Sequence, residues 1–128
     1  MAARAAFQVV VARTGRPLAT RAARAGTWRA RLVGLLGRRS LSDGEALVFE
    51  RCRAIHTIGM RFPIDAVFVD RGWRVVALKP HLGSGKLAGP IRKAWGVVEL
   101  SAGAAARAGL AVGDQLQLTG ASHGGALP

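Results

Sequence analysis

The segment Ile64-Asp65-Ala66-Val67-Phe68-Val69, between Pro63 and Asp70-Arg71-Gly72, reads as a strand. At a side-chain period of two, Ile64, Ala66 and Phe68 share one side, and Asp65, Val67 and Val69 share the other. A strand apolar on both faces needs a covering layer on each, so the chain must fold around more than one sheet surface. Asp65 sharpens the constraint. An isolated buried carboxylate is very costly, so it must accept hydrogen bonds or pair with a cation. One reading makes it a structural tether for backbone N–H groups of the His56–Pro63 loop, or for an arginine such as Arg38. The other places it at the mouth of a ligand site. The tether is the favoured reading.

Further strands are predicted over Phe7–Ala12, Leu18–Thr20, Ala46–Phe49, Val75–Leu78, Trp95–Leu100 and Gln115–Leu118. Trp28, Leu32, Leu35 and Leu36 recur at helical spacing, and Thr27 is a suitable N-cap, which predicts a helix over residues 27–38. Ala102–Leu110 reads as an alanine-rich turn or short helix, and Pro80–Pro90 as a long loop. The expected architecture is mainly β, a small β-sandwich or open barrel with one α-helix near residues 27–38. At 128 residues the chain suits one domain, residues 1–120, with 121–128 as a Gly- and Ala-rich tail.

Charge narrows the classes of partner. Lys and Arg total 19 against 7 Asp and Glu, a formal +12, and residues 1–42 carry nine arginines and no acid. Such a field attracts phosphates or acidic partners and weakens with salt. Arg13, Arg16, Arg21, Arg24, Arg29 and Arg31 are therefore the candidate anion or nucleic-acid surface. The Ala- and Arg-rich composition, with only three Lys, equally fits a solvated face set by codon usage. No recognition-helix or RNA-stacking pattern accompanies the arginines, so nucleic acid is not the favoured partner.

No apolar run approaches the roughly 20 residues that span a bilayer. Arg13 ends the apolar stretch Ala5–Ala12 too early for a signal peptide, which makes a cytoplasmic location the expected default.

One cysteine, Cys52, excludes an intrachain disulfide and a multi-cysteine zinc site. Cys52 and His56 stand four apart, but a helical pair is out of place between strands, and neither metal nor cofactor is expected. Gly83-Ser84-Gly85-Lys86 lacks the earlier Gly and the following Ser or Thr of a phosphate-binding Walker loop. His56, Met60, Arg61 and Asp65 remain as a candidate ligand site around the segment that enters the central strand, although Met60 and Phe62 suit a core equally well.

Three segments together resemble one family. They are Gly34-Leu35-Leu36-Gly37-Arg38 with Leu41 and Ala46–Phe49; Ile55-His56-Thr57-Ile58-Gly59-Met60-Arg61-Phe62-Pro63-Ile64-Asp65; and Val98-Glu99-Leu100-Ser101-Ala102-Gly103 with Gly109-Leu110 and Val112-Gly113-Asp114. Their order is similar to that of the domain-of-unknown-function 192 family, over roughly residues 7–118. The resemblance implies a compact β-sandwich-like domain and brings no established reaction. The expected function is a small non-enzymatic binding or accessory module with a protein partner or an acidic surface. Alternatives are a ligand site or enzyme at the His56–Asp65 loop, and anion capture by the arginine-rich first third.

Overall fold

The computed structural model describes residues 7–25 and 41–120. The strands are β1 (Phe7–Val11), β2 (Pro17–Arg24), β3 (Glu45–Glu50), β4 (Ile55–His56), β5 (Ile64–Val69), β6 (Val75–Leu82), β7 (Leu87–Ala88), β8 (Gly96–Ser101) and β9 (Leu116–Thr119). A four-residue helix, α1 (Ala104–Arg107), lies between β8 and β9. Seven strands form one sheet in the order β6-β5-β8-β3-β2-β1-β9, and β4 pairs with β7 as a separate ribbon. Among the described residues only β2 and β3 pair in parallel within the large sheet. A parallel pair needs a crossover of a dozen or more residues, which the chain between Arg24 and Glu45 supplies. The helix predicted over 27–38 falls in that crossover, outside the described residues.

The sheet curls until its two edges meet. Arg74, before β6, bridges to Gln115, before β9. Val75 donates its N–H to the Asp114 carbonyl at 2.8 Å, and Leu116 donates to the Trp73 carbonyl at 2.9 Å. The result is an open barrel closed at one end, as the mainly β reading expected.

Both faces of the central strands are covered, as the pattern of Ile64–Val69 requires. All six residues of β5 and all six of β8 are buried. Val67, Val69, Val98 and Leu100 face the barrel interior with Phe7, Val9, Val48 and Leu116. Ile64, Ala66, Phe68 and Val97 face outward, under Ile55, Met60, Phe62 and Ala88 of the β4–β7 layer. Burying a side chain of this size is worth roughly 1.5–3 kcal/mol, so each layer contributes substantially.

Three elements differ from the expected pattern. β2 runs to Arg24, well past Thr20, because its parallel partner continues alongside through Val48. β6 extends to Leu82, held by its register with β5 as far as Ile64↔Leu82. The predicted 80–90 loop thus contains the end of one strand and all of β7. Pro80 and three glycines suggested a loop there. Tertiary pairing outweighs that local signal.

Asp65 is a tether, but its described partners lie outside the His56–Pro63 loop, and Arg38 is outside the described residues. Its Oδ1 accepts from the His81 N–H at 2.9 Å and the Gly103 N–H at 3.1 Å. Its Oδ2 accepts from Gly103 at 3.1 Å and from Ala105 at 3.0 Å. One carboxylate thereby ties the β6 strand and the first turn of α1 to β5. Gly103 adopts φ +93°, a conformation that glycine tolerates best, and caps α1 without a side chain of its own.

Candidate functional site

The candidate ligand residues are split by the sheet. Asp65 lies on the interior face with Val67, whereas Met60 is buried in the outer core. His56 sits in β4 opposite Leu87, and Arg61 is exposed after the turn that Met60 closes on Thr57. Buried Thr57 organises the neighbouring glycine loop. Its Oγ1 donates to the Gly83 carbonyl and accepts from the Lys86 N–H at 2.9 Å, while its carbonyl accepts from Gly85 at 3.1 Å. The Gly83–Lys86 segment thus directs amides at Thr57. Cys52 is half-buried, and its Sγ donates to the Ala54 carbonyl at 3.1 Å.

The first-third arginines are dispersed. Arg13 grips Asp114 through Nε to Oδ1 and Nη2 to Oδ2, both at 2.8 Å, and also donates to the Gly109 carbonyl. Arg24 pairs with Glu50 at 3.0 Å and lies 5.3 Å from the Phe7 ring centre. Arg16 and Arg21 are exposed, and Arg29 and Arg31 lie outside the described residues.

The Arg13 clip has a pH consequence. The Arg13 hydrogen bond, helped by the Ala111 N–H, holds the Asp114 carboxyl down to about 2. A carboxylate depressed in the folded state binds fewer protons there than in the unfolded chain. Its stabilisation is therefore complete above about pH 4 and is lost as pH falls through about 2. Asp114→Asn is expected to lower the melting temperature at neutral pH and to reduce its fall between about pH 4 and 2. Equal acid slopes in the two proteins would contradict this assignment.

The strongest uncommitted charge lies elsewhere. Register sets it up: Gly96 of β8 stands opposite Glu50 of β3 on one side and Val69 of β5 on the other. The three segments beyond those residues are therefore neighbours, namely 51–53, 70–72 and 92–95. They enclose a groove of about 690 Å³, within the usual range of ligand pockets. Arg51, Arg53, Arg71, Arg92 and Lys93 line it with a single acid, Asp70. The Asp70 carboxylate is committed to its own turn, accepting from Gly72 at 2.9 Å and Arg74 at 3.0 Å. Among the described residues none of the five cations is ion-paired.

The groove floor is held in place. Trp95 donates its backbone N–H to the Val69 carbonyl at 2.7 Å and accepts from Cys52 at 2.9 Å. Arg53 donates to the Ile91 and Arg92 carbonyls at 3.3 and 3.1 Å, which ties two walls together and leaves three of its five N–H donors for other partners. The half-buried Trp95 ring meets the buried Trp73 ring edge-on, 5.8 Å between centres at 84°. Arg51 and Trp73 have φ of 55° and 66°, a left-handed backbone that costs roughly 1–3 kcal/mol and clusters at functional sites. A Cβ on Gly89 would lie 2.5 Å from the Arg53 carbonyl, so glycine lets the segment that leads to Arg92 pass close behind the Arg53 wall.

Comparison with known proteins places the chain. A family model described as an uncharacterized ACR, domain of unknown function 192, matches residues 9–118. The chain belongs to this family. No curated protein is similar enough to count as a match. Two solved structures share the fold. One, from Sinorhizobium meliloti and described as a candidate transcription regulator, is 21% identical with a TM-score of 0.71, over 92% of this chain and 98% of that one. The other, a protein of unknown function from Novosphingobium aromaticivorans, is 24% identical with a TM-score of 0.70, over 88% of this chain and 83% of that one. The DUF192 match joins the three sequence segments that carried the resemblance into one framework: β3, the β4–β5 region, and β8 with α1.

No motif in the sequence marked the groove. Arg51 and Arg53 flank Cys52, Arg71 sits in a hairpin turn, and Arg92-Lys93 ends a loop. The β3–β8–β5 register is what makes them one surface.

Proposed function

We propose that this DUF192 domain is a non-enzymatic binding module whose working surface is the basic groove and whose partner is anionic. One observation carries the reading: five cations from three segments converge while the only acid among them is occupied by its own turn. The charge is held on a hydrogen-bonded framework, so an anion meets donors already in place. The name of the Sinorhizobium meliloti relative is in keeping with a partner of this sign.

Arg51 offers a clean test. It is exposed and holds a left-handed backbone, so Arg51→Gly removes a cation while relieving strain. Calorimetric titration with inorganic polyphosphate at low salt is expected to show about three-fold or greater weakening in Arg51→Gly, with thermal stability at least equal to that of the parent. Arg16→Ser with Arg21→Ser is expected to leave the affinity unchanged. If the Arg16 and Arg21 substitutions abolish binding and Arg51→Gly does not, the groove is the wrong surface.

A further inference from the structure

The same groove contains an aromatic surface that simple anion capture would not need. Resting on the anionic-partner reading, we infer that its ligand is single-stranded nucleic acid, with a base stacked on Trp95 and phosphates on the surrounding cations. Trp95 lines the groove, and the edge-on contact with Trp73 holds its ring at a fixed angle. The guanidinium of exposed Arg71 lies 6.0 Å from the Trp95 ring centre. A planar base sandwiched between two such groups needs about 7 Å, twice the ordinary stacking separation. Arg71 has to yield only about an ångström to admit one, and its planar guanidinium is itself a surface on which bases stack.

The distribution of charge selects the polymer over a free nucleotide. The single phosphate of a mononucleotide can neutralise few of the five cations on the three segments, whereas a continuous strand brings one phosphate per nucleotide. A cationic groove that follows a backbone beside an aromatic platform is the usual apparatus for single strands, whose bases are free to stack. A duplex keeps its bases stacked on each other and offers Trp95 none.

The experiment measures affinity of the full chain by fluorescence anisotropy for a labelled oligothymidylate of about 12 nucleotides. Competitors are inorganic polyphosphate, thymidine monophosphate and a duplex of the same length. The expected order places the oligothymidylate roughly ten-fold or more ahead of polyphosphate and of duplex, with the mononucleotide weakest. Trp95→Leu should remove that preference and leave polyphosphate binding intact, while Trp95→Phe retains most of it. Should Trp95→Leu fail to fold, Arg71→Ala, at an exposed position, is expected to weaken the oligonucleotide more than polyphosphate.

Equal binding of oligonucleotide and polyphosphate, indifferent to Trp95, overturns the inference and leaves the anion groove standing. Duplex binding as tight as single strand, or mononucleotide binding as tight as the polymer, also overturns it. No binding of any polyanion sinks both this inference and the reading on which it rests.

Discussion

Asp65→Ala is expected to destabilise the domain by about 3–5 kcal/mol, read as a fall in the urea midpoint. The carboxylate accepts from three backbone amides, His81, Gly103 and Ala105, and is 1% exposed. Removing it leaves those donors without their acceptor, at roughly 1–3 kcal/mol for each that stays dry. Small domains have only about 5–15 kcal/mol of net stability, so the loss reaches a large part of the total. Asp65→Asn preserves shape and one acceptor oxygen but turns an NH2 toward an N–H donor, so about 1–3 kcal/mol is expected. Hydrogen exchange at Gly103 and Ala105 should accelerate in both variants. Asp65 is five residues before Asp70, about 17 Å along an extended strand, so folded Asp65→Asn is expected to keep its groove. Stabilities of the three proteins within about 0.5 kcal/mol of one another would refute the tether.

What was legible in the sequence was what local pattern and burial cost determine. Ile64–Val69 had to be covered on both faces, and two cores cover it. The need to satisfy Asp65 followed from desolvation alone. Its partners did not, because His81 and Gly103 lie 16 and 38 residues away and meet it only once β6 and β8 have paired on either side of β5. The charge pattern was hard to read for a related reason. A run of arginines in sequence is conspicuous, but two of them, Arg13 and Arg24, are taken up by Asp114 and Glu50 from distant segments. The groove cations are spread over more than 40 positions. Their proximity is a property of register, which a residue count does not contain.

Salt provides the sharpest functional prediction, because each phosphate neutralised releases counterions in proportion. Five groove cations and one turn-bound carboxylate leave a net of four positive charges facing the ligand. For a single strand contacting about four phosphates, log K is expected to fall against log salt with a slope near −3. Raising salt from about 50 to 200 mM should then weaken binding about sixty-fold. Arg51→Gly with Lys93→Ser removes two contacts that have no hydrogen-bonded role in the described structure, so the slope should rise by about 1.4. Arg16→Ser with Arg21→Ser should not change it. Arg21 stands opposite Glu45 in the strand register, at the start of β3, whereas the groove opens beyond Glu50 at its end, about 17 Å along the strand. The slope therefore counts contacts, and the pair of variants locates them. A parent slope shallower than about −1, or one altered only by the Arg16 and Arg21 changes, would remove the groove from consideration. A slope that responds to Arg51 and Lys93 would establish that the strand register, not the arginine-rich first third, builds the working surface.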